Sequence, residues 1–149
     1  ILLNDRMIGF LPPGDHPNAL APAKRPAHTL SPCLATDESG ALIGLFGTPG
    51  GPGQTLTLAQ VVSALLAEGA SLAEATARPR WSVDLSGGCL FEPGFPEEVP
   101  SAARARGIPA TVTDGTEPFY GSAQVVLRGG DGLLRGAADG RREAYVLGW

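Results

Sequence analysis

An apolar run, a turn rich in proline and glycine, and an amphipathic helix follow one another between residues 41 and 69. Residues 41–47 predict a buried strand. Beyond the turn, apolar residues recur at helical spacing and form one stripe, at Leu58, Val61, Val62, Leu65 and Leu66. A predicted strand and an amphipathic helix side by side indicate a layered fold that contains both helices and sheet.

Two capping patterns predict where helices begin. Thr57 with Gln60 indicates a capping box for the helix that ends near Gly69. Ser71 with Glu74 indicates a second, shorter helix, which must end before Pro79. A third helix is predicted over residues 97–106, where Gly107 limits it and Pro100 is tolerated only in the first turn.

Short apolar runs predict the strands, and a proline-rich loop over residues 11–26 separates the first two of them. These elements do not alternate regularly between strand and helix, which favours an α+β fold in a single domain over residues 1–149. Besides 41–47, strands are predicted at residues 1–4, 31–36, 81–84, 89–92, 110–113, 123–128, 133–137 and 144–147.

Charge and composition exclude several classes of function. Eleven Lys and Arg against fifteen Asp and Glu give a net charge of −4 with no basic stripe, which disfavours nucleic-acid binding. No stretch approaches the roughly 20 apolar residues that span a bilayer. Cys33 and Cys89 are the only cysteines, and neither they nor His16 and His28 have metal-ligand spacing. We therefore predict no metal and no cofactor.

The chain begins at Ile1 without an initiator Met or a residue that carries a nucleophilic hydroxyl or thiol. We expect it to be the C-terminal portion of a larger enzyme. The compartment stays open between periplasmic, extracellular and cytoplasmic. Apolar surface on such a portion is expected to favour a homo-oligomer when the portion is isolated.

Two loops contain residues of chemical interest. The glycines after Thr48 and Pro49 precede a helix, where backbone N–H groups stabilise negative charge and can form an oxyanion hole. The alternative is a turn that merely connects strand and helix. Pro26 and Pro32 extend the second loop and expose His28 and Thr29 for substrate contacts, although a surface loop is again the alternative.

A series of motifs follows in order along the chain and covers nearly all of it. They are Leu3-Asn4-Asp5-Arg6-Met7-Ile8-Gly9-Phe10, Pro17-Asn18-Ala19, Lys24-Arg25-Pro26, Thr48-Pro49-Gly50-Gly51, Ala77-Arg78-Pro79-Arg80, Glu92-Pro93-Gly94-Phe95, Gly121-Ser122-Ala123-Gln124 and Gly136-Ala137-Ala138-Asp139-Gly140-Arg141-Arg142. In their order and spacing, these motifs resemble the small-subunit end of the gamma-glutamyltransferase family.

The resemblance implies part of an N-terminal-nucleophile hydrolase, a four-layer αββα sandwich built from a large and a small subunit of one precursor. In this family the precursor cleaves itself before a Thr. That Thr then attacks an amide substrate, and its own α-amino group acts as the base. We expect the nucleophile to lie upstream of Ile1, so that this chain holds no catalytic nucleophile and is inactive alone.

Carried over by position, Gly50 and Gly51 would supply the oxyanion-hole amides. Substrate binding is assigned to Asn4, Arg6, Gly9, His28, Thr29 and Thr48. Gamma-glutamyl enzymes usually have Gln at the position of Arg6, Asp at that of Gly9 and a Ser-Ser pair at His28-Thr29. Those residues hold the amino and carboxylate groups of the glutamyl moiety.

These differences from the usual family residues change which substrate we expect. Without the Asp, the substrate ammonium loses its counter-charge, and Arg6 would repel it. Arg6 suits a carboxylate instead. The function implied is cleavage or transfer of the acyl group of gamma-glutamyl or related amides. The alternatives are an amidohydrolase similar to cephalosporin acylases, which hydrolyses amides and transfers gamma-glutamyl groups poorly, and a degenerate protein that only binds a partner.

Overall fold

The strands and helices lie between residues 31 and 138 and form two sheets with three helices. In the computed structural model, residues 6–148 are described. The chain divides into two compact units, residues 1–30 and 31–149, and each is described by itself. The single domain over residues 1–149 stays a prediction. The predicted strand at residues 1–4 lies outside the described residues.

The first unit is irregular, as the proline-rich sequence predicts. Its described part, residues 6–30, holds the 3-10 turn Arg6–Gly9 and a backbone bridge between Leu11 and Ala19. Asn18 organises it: its side-chain amide donates to the carbonyl of Gly9, and its side-chain oxygen accepts the N–H of Ala27 at 3.0 Å. One asparagine thus ties both ends of the loop together.

In the second unit, four strands form an antiparallel sheet: β1 (Cys33–Thr36), β2 (Leu42–Gly47), β6 (Gln124–Arg128) and β7 (Leu134–Ala138). Their order in the sheet is β1-β2-β6-β7. Directly opposed residues run across it from Cys33 to Phe46, Val125 and Ala137.

A smaller sheet and a helix are formed by β3 (Trp81–Val83), β4 (Cys89–Phe91), α3 (Glu98–Ala105) and β5 (Ala110–Val112). The sheet has the order β3-β4-β5, with β3 and β4 antiparallel and β4 and β5 parallel. Helix α3 connects the two parallel strands, which need such a crossover.

The main core lies between the four-stranded sheet and two helices, α1 (Gln54–Leu66) and α2 (Leu72–Ala77). The predicted stripe of α1 supplies Leu58, Val61 and Leu65, which meet Phe46 and Val125 of the sheet. Truncating a buried aromatic such as Phe46 to Ala is worth about 3–5 kcal/mol of stability. This packing holds α1 against β2 and β6 of the sheet.

Two local predictions are wrong, and for the first of them the reason is that distant partners bond the side chains involved. Helix α1 begins at Gln54, so Thr57 and Gln60 lie inside it and do not cap it. Thr57 donates to the carbonyl of Tyr120, and Gln60 bonds both backbone groups of Trp81. Residues 144–147, predicted as a strand, form no strand. By contrast, Ser71 caps α2 as predicted, accepting the N–H of Glu74 at 3.2 Å.

Candidate functional site

The turn between β2 and α1 combines backbone geometry and unpaired donors in a way that suits anion binding. We call residues Thr48–Gly53 the glycine turn. Gly50 and Gly51 have φ of 133° and 53°, which residues with a side chain rarely adopt. Within residues 6–148, neither the N–H of Gly50 nor that of Gly51 donates to an acceptor. Both amides lie ahead of α1, at the 3-10 turn Gly51–Gly53 that leads into it, and the helix dipole favours negative charge at that end.

The other bonds of the glycine turn hold its shape. Gly53 N–H donates to the carbonyl of Gly50 at 3.0 Å, and the side-chain amide of Gln54 donates to the carbonyl of Gly51 at 3.1 Å. Thr48 Oγ1 donates to the carbonyl of Pro49 at 2.7 Å and accepts the N–H of Ser122 at 2.9 Å. The hydroxyl of Thr48 is therefore engaged both as donor and as acceptor.

A buried charged cluster lies behind the glycine turn and joins three of the sequence motifs. Arg80 and Asp139 form a 2.6 Å ion pair in which both side chains are at most 2% exposed. Arg80 also donates to the carbonyls of Tyr120 and Thr76. Asp139 accepts the N–H of Ala123 at 3.0 Å. The cluster thus fixes the segment that contacts the turn through Ser122.

Arg141 and Glu92 complete the cluster. Arg141 makes a two-pronged contact with Glu92 at 2.5 and 2.6 Å and reaches Asp139 at 3.0 Å. Burial alone would raise the pKa of Asp139, but the N–H of Arg141 and the charge of Arg80 outweigh it and hold that pKa below 3.8. Burial, and then the charge of Arg141, lower the pKa of Arg80. Sequence reasoning noted these motifs without finding the cluster.

In the first unit, the structure brings Arg6 and Thr29 together: the Arg6 guanidinium donates to Thr29 Oγ1 at 2.8 Å. His28 is exposed beside them in sequence. At Gly9 the backbone has room for a side chain, since a Cβ there would meet only ordinary contacts of 3.7 and 3.9 Å. A steric clash is therefore not the reason why this position has Gly instead of an acidic residue. Asn4 lies outside the described residues.

Between residues 6 and 148, His, Cys, Asp and Glu side chains form no group of three able to hold a metal ion. In that range no helix has the length and apolar character to cross a bilayer.

Comparisons with known proteins identify the family. The model of the gamma-glutamyltranspeptidase family matches residues 1–149. The oxamate amidohydrolase proenzyme of Klebsiella pneumoniae is 30% identical over 154 residues, which cover 100% of this chain and 29% of that protein. The glutathione hydrolase proenzyme of Escherichia coli is 30% identical, over 95% of this chain and 25% of its own length. The chain thus spans under a third of these relatives.

Solved structures agree. Cephalosporin acylase from Bacillus halodurans superposes with a TM-score of 0.81 and 31% identity over 97% of this chain and 27% of that one. Gamma-glutamyltranspeptidase from Pseudomonas nitroreducens shares the fold, with a TM-score of 0.78 at 24% identity over 99% of this chain and 81% of that one. The chain belongs to the gamma-glutamyltranspeptidase family and has the α+β fold of its N-terminal-nucleophile hydrolases.

Proposed function

We propose that this member of the family is the C-terminal part of an amidohydrolase that works through an acyl-enzyme, with Gly50 and Gly51 as the oxyanion-binding amides. The observation that carries the proposal is the pair of Gly50 and Gly51 N–H groups in the glycine turn before α1, which donate to no acceptor among residues 6–148. When a nucleophile attacks an amide carbonyl, the oxygen becomes negatively charged. Donors already fixed in place stabilise that charge without reorganising.

The chemistry proceeds in two halves. A Thr hydroxyl of the same precursor, upstream of Ile1, attacks the carbonyl carbon, and its α-amino group accepts the proton. The tetrahedral intermediate collapses, the amine leaves with that proton, and an ester remains on the Thr. Water then attacks the ester by the same route and releases the acid. Gly50 and Gly51 stabilise the oxyanion in both halves, each donor contributing a factor of about a hundred or more.

Residues 1–149 expressed alone are expected to be inactive. Ile1 has no oxygen nucleophile, and no interior Ser or Thr has a free α-amine beside it to act as base. Turnover of any amide by that polypeptide would contradict this expectation. A full-length protein that matures by cleavage before a Thr would support the enzyme, whereas an uncleaved and inactive product would support the degenerate binding protein.

For the substrate, we propose an amide whose acyl group carries a carboxylate and no amine. Arg6 provides a cation, and the hydroxyl of Thr29 lies next to it. Gly9 provides no carboxylate that could bind an ammonium group. Arg pairs well with carboxylates. Oxamate, which names one relative, and glutaryl amides have this chemistry. Gamma-glutamyl amides, the substrates suggested by the relative named glutathione hydrolase, are the second candidate.

The test compares kcat/KM of the full-length enzyme on oxamate, glutaryl anilide and gamma-glutamyl anilide. We expect an amine-free substrate to exceed the gamma-glutamyl one by at least about tenfold, since one unpaired charge costs about that factor or more. Arg6→Gln combined with Gly9→Asp should lower or invert the ratio of kcat/KM for the amine-free substrate to kcat/KM for the gamma-glutamyl substrate. Arg25→Gln, which removes a positive charge from the same unit, is the matched control and should not change it. Efficient glutathione turnover by the wild type would overturn the proposal.

The partner proposed is the large subunit of the same precursor, covering the outer face of the four-stranded sheet. Opposed residues Leu34, Leu45 and Val126 form an apolar row there, each 37–64% exposed. Because the relatives are more than three times as long as this chain, the precursor has enough residues to cover it. Leu45→Asp should reduce mature enzyme in the full-length protein, whereas Leu85→Asp in the exposed β3–β4 loop should not.

A further inference from the structure

The segment 118–122, which we call the backing segment, packs against the glycine turn without spare room. A Cβ at Gly121 would lie 2.3 Å from Thr48 Oγ1 and 2.8 Å from the carbonyl oxygen of Pro49. One at Gly53 would lie 2.2 Å from the carbonyl oxygen of Phe119. A Cβ at Gly50 would lie 3.4 Å from the Cα of Gly121. Three glycines therefore let two stretches of backbone touch.

Thr48 makes the side-chain contact that links the two stretches. Its Oγ1 accepts the N–H of Ser122 at 2.9 Å, which leaves the hydroxyl proton for the carbonyl of Pro49 at 2.7 Å. That carbonyl belongs to the same planar peptide unit as the N–H of Gly50. In a trans peptide, C=O and N–H point in opposite directions. Holding the carbonyl toward Thr48 therefore turns the Gly50 N–H away from it.

The next peptide unit is held in the same way by the backbone itself. The carbonyl of Gly50 accepts the N–H of Gly53 at 3.0 Å, which fixes the N–H of Gly51. Of the two proposed oxyanion donors, Gly51 is therefore oriented by backbone, and only Gly50 depends on a side chain. Glycine on the C-terminal side of the Pro49–Gly50 bond gives that unit rotational freedom, so it needs such a restraint.

We propose that Thr48 is the positioning residue of the oxyanion site: its hydroxyl holds the Pro49–Gly50 peptide in the orientation that presents the Gly50 N–H to substrate. This inference rests on the proposed role of Gly50 and Gly51. The resemblance placed Thr48 among substrate-binding residues, but a hydroxyl already engaged as donor and acceptor acts through the neighbouring peptide. Losing it allows that peptide to flip, so that a carbonyl oxygen replaces the donor.

The experiment uses the full-length, matured enzyme and a graded series at this position. Thr48→Ser keeps the hydroxyl, Thr48→Cys keeps a weaker donor, and Thr48→Val keeps only the shape. We expect kcat to fall at least about tenfold in Thr48→Val, because a misplaced oxyanion donor forfeits much of its effect. KM should change less than about threefold, Thr48→Ser should stay near the wild type, and Thr48→Cys should fall between.

A transition-state readout separates positioning from a merely structural role. A boronic acid that forms a tetrahedral adduct on the nucleophile should bind Thr48→Val more weakly by the same factor as the loss in kcat/KM. The matched control is Thr76→Val, because the Thr76 hydroxyl is also buried but bonds only carbonyls of its own helix, such as that of Leu72 at 2.9 Å. It should leave kcat unchanged.

The outcomes are distinct. Wild-type kcat in Thr48→Val, or a loss confined to thermal stability with boronate affinity unchanged, would overturn the inference and leave the proposed function standing. If Thr48→Val does not mature, the Ser and Cys variants decide: equal kcat in both overturns the inference, and a graded loss supports it. A wild type without amidase activity would remove both proposals.

Discussion

Two ion pairs of the same length show how differently one contact behaves in two regions of this molecule. Arg80–Asp139 and Arg135–Asp131 both measure 2.6 Å. The first is at most 2% exposed, whereas both side chains of the second, in the β6–β7 hairpin, are about half exposed. Burial lowers the pKa of Arg80 despite its partner, while hydrogen bonding to Asp131 raises that of Arg135. Burial, not distance, thus decides what the loss of a partner costs.

Removing the acid of the buried pair should give the largest effect. Asp139→Asn leaves Arg80 charged and uncompensated in the interior, which costs about 3–5 kcal/mol. We expect a large fall in the thermal midpoint and in the yield of the full-length protein. A change no greater than that of Asp131→Asn would refute the contrast between the two pairs.

A double-mutant cycle sharpens the contrast. In Arg80→Met combined with Asp139→Leu neither charge is left alone, so the loss should be smaller than the sum of the two single losses by about 1–3 kcal/mol. Urea unfolding of the four proteins measures this coupling. Additive losses would show that the partners act independently.

Acid should weaken the buried pair in a defined window. Because the folded pKa of Asp139 lies below 3.8, the unfolded chain binds a proton more readily. The stabilisation is therefore complete above about pH 4 and is lost as the pH falls through the folded pKa. Between about pH 5 and pH 3, the urea midpoint should fall more for the wild type than for Asp139→Asn. Parallel slopes would contradict this assignment.

The smallest effect is expected at the exposed pair. Asp131 stays solvated whether or not Arg135 is present, and salt screens what attraction remains. Asp131→Asn should therefore leave the thermal midpoint of the protein unchanged within measurement error. A clear loss would mean that the hairpin depends on this contact and that exposure is a poor guide to its importance.

The sequence predicts the elements that depend on near neighbours and misses those that depend on distant ones. The α2 cap needs only Ser71 and Glu74, three residues apart, and it is confirmed. The Thr57–Gln60 cap is wrong because Thr57 serves a carbonyl 63 residues away and Gln60 a backbone 21 residues away. A local sequence pattern cannot show contacts between residues that are so far apart in the chain.

The candidate site likewise has parts that local sequence predicts and parts that depend on residues far apart in the chain. The Pro-Gly-Gly sequence after a strand predicts the glycine turn, because positive φ and a helix start are local properties. The backing segment and the charged cluster join residues such as Thr48 and Ser122, which lie 74 apart. The motifs that contain Arg80 and Asp139 are the signal that the sequence offers for the cluster, but only the fold shows that Arg80 meets Asp139. The roles of Gly50 and Gly51 stay predictions.

The strand order β1-β2-β6-β7 has a consequence for how the chain is made. Each outer hairpin can form from neighbouring residues, but β2 ends at Gly47 and meets β6, which starts at Gln124. A growing chain therefore completes α1 and α2 before the strand that finishes the sheet beneath them has been synthesised. Until then the apolar face of α1 can pack against β2 but not against β6. We therefore expect the nascent chain to complete its fold late. A pause in translation before residue 124 leaves an intermediate with exposed apolar surface, to which chaperones bind.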